Sequence, residues 1–441
     1  MALSKLQKRA IEKKSALKDK IIIGIDPSSK KHQVEIISPD GLPMMGSFWI
    51  FNTGEGFKRL LRKVEFLKKQ YPDAEPIIAI EPSSHYWLNL CYFFKKRKFQ
   101  IVLVPGLLVN RAREIEDQTT HKDDPKDCHL VAELAQNGKY CTERQPEGIW
   151  ANLRHLSNTW LEISEEKTSL RLKIRMLMDV FFPEFTTFFS DFLGATGLFL
   201  LANYPFPSDI VAADFNQLTT QISKVSYKKL GAALVVQLKR SAETTIGIDD
   251  GRAGAQLRLK MLLSRYNVCL EQQQALSDEI ESYLNCIDYT PYLLSLPGVS
   301  MVSIAILLGQ CGDLRNYKSV KSLLSFAGLD LIFSDSGKSK SNRKISKRGR
   351  RHLRTILYQI CLSFIKKPNI ARRKYLKQLL GGKKPKQAVV SSISFFVRIM
   401  FVVTNEKRAY RPPDASESLV QEIKNLETQL EAKKGKKSKK K

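Results

Sequence analysis

Between residues 20 and 140 the chain alternates short apolar runs with longer stretches in which apolar residues return every three or four positions. Residues 21–25 (IIIGI), 32–38 and 47–51 read as three strands, the second and third joined through Pro39-Asp40-Gly41, and so predict an antiparallel meander. Helical spacing follows at Phe57, Leu60, Leu61, Val64 and Leu67. Residues 76–80 and 100–104 are compact apolar runs of the buried-strand type, and helices are predicted over 84–96, from Pro105-Gly106 to about 114, and from residue 124. The order is three strands, helix, strand, helix, strand, helix, helix. Beyond residue 146 the strand pattern stops. Two long helical stretches, 153–180 and 257–284, carry Leu and Ile at spacings suited to an antiparallel coiled coil or to ordinary core. Residues 191–242 between them read as a small helical insertion with a break at Tyr204-Pro205-Phe206-Pro207-Ser208. Further helices at 303–310, 322–329 and 353–364 predict a mainly helical segment, followed by a proline break, one amphipathic helix and a lysine tail.

Acidic residues stand where this order ends its elements. Asp26 closes the first strand, Glu81 the fourth, and Asp124 and Asp127 lie three residues apart on one face of a helix start. Each has a structural reading alone. Asp26 can form an Asx turn into Pro27-Ser28-Ser29, and Asp124 can cap a helix whose first residue is Pro125. Together, four carboxylates sent to one place repel each other unless a divalent cation sits among them, and Mg2+ favours such hard oxygen ligands. Asp123 is the register rival of Asp124, which is preferred because only Asp124 shares a face with Asp127. The element order is that of the ribonuclease-H-like fold, in which acids from the first and fourth strands lie side by side.

Charge narrows the partner. The 441 residues include 72 Lys and Arg against 44 acids, a formal charge of +28, which points to a polyanion and by default to nucleic acid. From Gly337 to Arg354 there are nine basic residues and no acid: Lys338, Lys340, Arg343, Lys344, Lys347, Arg348, Arg350, Arg351 and Arg354. Because the run lies between apolar helices, it reads as a loop held on a folded domain and placed on phosphates. Leu296-Pro297-Gly298-Val299 before a helix reads as a helix-hairpin-helix turn or as an ordinary inter-helix turn. Seven scattered cysteines without a CxxC pair predict a reducing compartment with neither disulfides nor zinc. The first 20 residues lack the apolar core of a signal peptide, and no run approaches 18 apolar residues without charges. No membrane span and a cytoplasmic location are therefore expected.

Two sets of motifs carry a family resemblance. Ile23-Gly24-Ile25-Asp26, Ile80-Glu81-Pro82-Ser83 and Lys122-Asp123-Asp124-Pro125-Lys126-Asp127 form the first. Pro297-Gly298, Ala327-Gly328-Leu329, Asp335-Ser336-Gly337, Ser346-Lys347-Arg348-Gly349 and Leu353-Arg354 form the second. In both, the chain resembles the DEDD transposases of the insertion-sequence-one-ten family, bridge-RNA-guided recombinases whose N-terminal domain is similar to the RuvC Holliday-junction resolvase. Cys128 stands where such proteins often have alanine, and Asp26-Pro27-Ser28 departs from the Asp-x-Glu opening of proofreading-type exonucleases.

The resemblance implies an α/β plus α architecture: a RuvC-like DEDD nuclease domain over 1–145, a helical coiled-coil linker with a small insertion over 146–290, a mainly helical transposase domain with a helix-hairpin-helix-like element over 291–410, and a basic tail over 411–441. It implies a site-specific DNA recombinase in which Asp26, Glu81, Asp124 and Asp127 hold Mg2+. Ser336, with Ser334 the nearest alternative, would form a transient phosphoserine. Donor and target DNA, a non-coding bridge RNA that selects both, and a dimer or tetramer are the implied partners, with the acids of one subunit facing the serine of another. Two other readings stand beside it: a metal-dependent Holliday-junction-type endonuclease using water, with Ser336 structural, and a non-catalytic nucleic-acid-binding protein with a dead nuclease fold.

Overall fold

The first of two units, Met1–Arg144, is built on a mixed sheet. Its elements are α1 (Lys5–Leu17), β1 (Ile21–Asp26), β2 (Lys31–Ile37), β3 (Phe48–Phe51), α2 (Gly54–Gln70), β4 (Pro76–Ile80), α3 (Trp87–Lys95), β5 (Gln100–Leu103), α4 (Gly106–Asp117), α5 (Asp124–Gln136) and β6 (Cys141–Thr142). The computed structural model describes residues 5–117, 124–332, 344–411 and 417–438. The strand order is β3-β2-β1-β4-β5-β6. β1 pairs antiparallel with β2, and β2 with β3, while β1 and β4, and β4 and β5, run parallel. Neither α1 nor β6 belongs to the predicted order: α1 is mostly charged and polar, and β6 has only two residues.

β1 is a central strand and is buried on both faces. Ile21, Ile23 and Ile25 pack with Leu60 and Val64 of α2 and Phe94 of α3. Ile22 faces the other layer, among Val131, Ala132 and Ala135 of α5. Gly24 shares that second face, where a Cβ would lie 2.1 Å from the Cys128 carbonyl oxygen and 2.8 Å from the Ala132 Cβ. α5 thus rests on the β1 backbone at a separation that no larger residue at position 24 permits.

Among its described residues the second unit, Gln145–Lys441, is helical apart from one short hairpin. α6 (Ile149–Phe181) leads through α7 (Ala195–Asn203), α8 (Pro207–Ala212), α9 (Phe215–Val225) and α10 (Ala232–Glu243) to α11 (Arg252–Asn285). α6 and α11 lie side by side and antiparallel. Gln273 donates to the Ser164 hydroxyl at 2.8 Å and accepts from Lys167, and Glu166 pairs with Arg265. The helices between them share a core with one end of the pair, through Leu200, Ile210, Leu218 and Leu238 against Ile174 and Leu259.

The other end of the pair joins α12 (Thr290–Leu294), α13 (Met301–Cys311), α14 (Val320–Phe326), α15 (Arg351–Phe364), α16 (Ile370–Leu380) and α17 (Pro385–Asn405). α13 is a near-continuous apolar run and is correspondingly buried on all sides. The turn before it has Gly298 at φ +80°, and a Cβ there would come within 2.3 Å of the Ser363 side chain. Both the backbone conformation and the packing on α15 therefore demand glycine. α18 (Glu417–Ser438), the helix foreseen near the end of the chain, docks Ile423 and Leu426 on Leu376 and pairs Glu427 with Arg372. α17 is long and apolar enough to cross a membrane by length and composition alone, yet it holds no run of 18 apolar residues free of charges. Lys386 and Arg398 interrupt its apolar stretch in the sequence. Its Val389, Ile393, Phe396 and Met400 lie in the unit's own core with Leu357, Ile360 and Phe364.

The close approach at Gly24 makes a direct prediction. Gly24→Ala forces α5 off β1, because the obstructing atom is a backbone carbonyl that cannot rotate away, and costs about 3 kcal/mol. Urea unfolding should show this as a lower midpoint at unchanged slope. A midpoint equal to the parent's would mean that α5 is not held there.

Candidate functional site

The register of two parallel strands sets the first half of the site. Ile25 lies opposite Ile80, and the Glu81 N–H donates to the Ile25 carbonyl at 3.2 Å. Asp26 and Glu81 therefore stand at the same level on neighbouring strands, roughly 4.8 Å apart at the backbone. They also share a face. Ile22 of β1, and Ile77 and Ala79 of β4, pack in the layer that contains α4 and α5, and Asp26 and Glu81 continue those alternating series. The Glu81 carboxylate reaches the first residue of α4, where a Cβ on Gly106 would be 2.5 Å from Glu81 Oε1.

α5 brings the next acid. Asp127 is only 5% exposed, and its neighbour Cys128 is the residue whose carbonyl touches Gly24. Asp127 Oδ1 accepts two hydrogen bonds from Arg113 of α4, from Nε at 2.8 Å and from Nη2 at 2.5 Å. Arg113 is itself 7% exposed and also donates to the Asn110 side chain at 3.3 Å. Asp124 opens α5 three residues before Asp127. The Asp124 side chain, and Asp123 altogether, lie outside the described residues. Among the described residues no three His, Cys, Asp or Glu side chains gather closely enough to hold a metal ion. Asp26, Glu81 and Asp127 supply the carboxylate oxygens that a hard cation favours, but the Asp127 carboxylate is turned onto Arg113.

A second polar group supports this layer. Glu35 of β2 lies opposite Gly24, is buried, and approaches His129 Nδ1 of α5 at 3.0 Å. Burial, with Glu35 and then Asp26 nearby, pushes the Cys128 thiol up to about 12. The thiol is therefore held in its protonated form by its surroundings. Arg113 and Glu35 were invisible as site residues in the sequence, because neither falls in a motif. A basic residue one helix upstream of an acid destined for burial is the only hint of Arg113.

In the second unit, β7 (Leu331–Ile332) and β8 (Lys344–Ile345) pair antiparallel. Ser334, Ser336, Lys338, Lys340 and Arg343 fall between them and outside the described residues. Both legs of this hairpin are anchored by a backbone crossing. A Cβ on Gly349 would lie 2.5 Å from the Gly328 nitrogen and from the Phe326 oxygen. The Lys347 N–H donates to Gly328 at 2.9 Å, and the Arg350 N–H to Phe326 at 3.1 Å. Arg354 Nη1 donates to the Ala327 carbonyl at 2.8 Å, and the Arg350 guanidinium lies over the Phe326 ring at 5.1 Å. Lys344, Lys347, Arg348 and Arg351 are exposed around this crossing.

Comparison with known proteins bears on both units. A DEDD transposase family model of the IS110 type matches residues 23–183, and one described as the transposase IS116/IS110/IS902 family matches residues 290–376. The four acids fall in the first match; Ser336 and the basic run fall in the second. The chain is 24% identical over 401 residues to the insertion element IS116 uncharacterized 44.8 kDa protein of Streptomyces clavuligerus, covering 89% of this chain and 97% of that one. It is 22% identical over 377 residues to the insertion element IS110 uncharacterized 43.6 kDa protein of Streptomyces coelicolor, covering 81% and 92%. A shorter match, 29% identical over 143 residues, 31% of this chain and 44% of the relative, is to the pilin gene-inverting protein of Moraxella lacunata.

The buried pair on α4 and α5 is testable by itself. Arg113→Ala leaves the Asp127 carboxylate buried without its partner and should lower stability by about 3–5 kcal/mol. Replacing both residues, Arg113→Met with Asp127→Leu, should recover much of that loss in the same denaturation experiment, since no unpaired charge then remains.

Proposed function

The chain belongs to the IS110 family of transposases, and from that premise we propose that it cuts and rejoins DNA through a serine–phosphate intermediate, on DNA chosen by an RNA of the mobile element. The observation that carries the reading is the level placement of Asp26 and Glu81 on neighbouring strands, on the face where α5 presents Asp127. The strand order β3-β2-β1-β4-β5, antiparallel and then parallel, supports a RuvC-like nuclease domain over 1–145. The remaining domains proposed are a linker over 146–290, a transposase domain over 291–410 and a basic tail over 411–441.

Asp26, Glu81, Asp124 and Asp127 are the residues that would hold Mg2+, which supplies a Lewis acid for the phosphoryl oxygens. Arg113 balances the charge of Asp127 and sets its direction. Ser336, on the segment between β7 and β8, is the proposed nucleophile. Its Oγ bonds to phosphorus as the bond to one sugar oxygen breaks, and that oxygen leaves with a proton. Attack by a sugar hydroxyl on the phosphoserine reverses the step, so rejoining needs no outside energy source. Exposed Lys347, Arg348 and Arg351 would bind DNA backbones, while Arg354 holds the crossing beneath them. An assembly of two or four copies would bring the acids of one subunit to the serine of another, in the cytoplasm. The relative named for pilin gene inversion supports a recombinase over a simple nuclease.

The decisive experiment incubates the protein, with RNA from the element's flank, on DNA carrying the element's ends, and looks for a denaturation-resistant protein–DNA adduct. The adduct should form with the parent, vanish in Ser336→Ala, and vanish together with all strand cleavage in Asp127→Asn. Cleavage that persists in Ser336→Ala without an adduct would establish a water-using junction endonuclease instead.

Binding to non-specific duplex tests the basic run. Lys347→Ala, Arg348→Ala and Arg351→Ala should each reduce the slope of log affinity against log salt by about 1. Arg354→Ala should lower stability instead, with little change in that slope.

A further inference from the structure

The acid pair does not stand alone on its sheet face. Asp26 is in register with Gln33 of β2, and Gln33 with Trp49 of β3. Directly opposed residues on paired strands point to the same side, so Glu81, Asp26, Gln33 and Trp49 form one row across four strands. The next row adds Lys31 opposite Phe51. On β3, Phe48 and Ile50 turn toward the core formed with α2 and α3, which leaves Trp49 and Phe51 on the acid side. There they are 45% and 54% exposed, on an edge strand. The two rings stand edge to face at 5.3 Å, and Lys31 Nζ lies 4.2 Å over the indole. Gln33 is held by a 3.3 Å hydrogen bond to Ser47. An exposed tryptophan on a sheet edge exposes apolar area and invites strand pairing. Its presence in the row of the acids asks for an occupant.

We propose that Trp49 and Phe51 form a stacking platform for an unpaired base of the DNA strand held at the Asp26–Glu81 pair. Two strand spacings, about 10 Å, separate Trp49 from Asp26, which spans a few nucleotides at roughly 3.4 Å each. The occupant is single-stranded because the face of a base meets a ring only when the base has left its duplex stack. It is nucleic acid because Lys31 lies over the indole, and a cation beside an aromatic face suits a phosphate next to a stacked base. Strand exchange requires strands to separate at the cut, and this platform would keep the freed base from re-pairing. The proposal rests on the acid pair marking the cutting site.

The test measures binding of the full chain, in EDTA, to a short mixed-sequence single-stranded DNA, to its duplex and to the matching RNA. Trp49→Ala should weaken single-stranded DNA binding by about tenfold, Trp49→Phe should restore most of it, and duplex affinity should change by less than twofold. Equal loss on duplex, loss confined to RNA, no loss on single strands, or a changed oligomeric state in Trp49→Ala each overturns the platform. Asp26→Asn separates the two readings, since it should abolish cleavage while leaving single-strand affinity intact. Cleavage surviving in Asp26→Asn would remove the acid site without touching the binding result.

Discussion

The contact on which the first unit's site depends is the passage of α5 across β1 at Gly24. A helix normally rides on side chains about 10 Å above a sheet. Here the Cys128 carbonyl would lie 2.1 Å from a Cβ on residue 24, so helix and strand meet backbone to backbone. That lowers the first turns of α5 to the level where β1 and β4 end. Asp127, one residue before the contact, is carried into the layer that Asp26 and Glu81 face. Without the glycine, α5 would still find an apolar face to cover, but its acids would ride higher than the strand ends.

Lowering a carboxylate into that layer has an electrostatic consequence. Removing Asp127 from water costs several kcal/mol unless a partner is supplied, and α4 supplies one in Arg113. The guanidinium fork meets a single oxygen through two N–H groups, an arrangement that fixes direction as well as charge. On the other strand Glu81 solves the same problem differently: it lies only half-buried against the glycine that starts α4. Both acids thus meet α4, Glu81 at its first residue and Asp127 about two turns later at Arg113, so α4 and α5 together frame this layer.

Much of this frame was legible in the sequence, and the limits have physical causes. The predicted order of three strands, helix, strand, helix, strand and two helices matches β1 through α5, because compact apolar runs mark the strands and helical spacing marks the helices. The pair α6 and α11 was legible for the same reason, and their antiparallel packing follows the leucine and isoleucine spacing that suggested it. Strand β6 was not, since two residues have no period, nor was α17, whose apolar run is broken by Lys386 and Arg398. Asp26 and Glu81 could be placed at strand ends because each follows a compact apolar run. Arg113 and Glu35 could not be named, because their roles arise only when α4 and β2 meet α5. Trp49 was hidden differently: in FWIF every residue is apolar, so alternation leaves no trace of which side is bare.

Four glycines at close approaches, Gly24, Gly106, Gly328 and Gly349, do one kind of work. Gly24 lets a helix touch a strand just before Asp26, and Gly106 makes room for Glu81. Gly328 and Gly349 let two chain segments cross with atoms 2.9 and 2.5 Å, respectively, from where a Cβ would be. In each case the close approach fixes backbone adjacent to a residue that carries charge or chemistry. Side chains set on such crossings inherit their position from main-chain hydrogen bonds rather than from long flexible stems. That explains why short segments such as Gly-Ile-Asp and Lys-Arg-Gly are readable at all: the glycine is required by the geometry, and the charged residue beside it sits where that geometry is stiffest. The same logic separates Arg354 from its basic neighbours. Its guanidinium serves the crossing, through the Ala327 carbonyl, and so the charge of the run and the stiffness of its base come from different arginines.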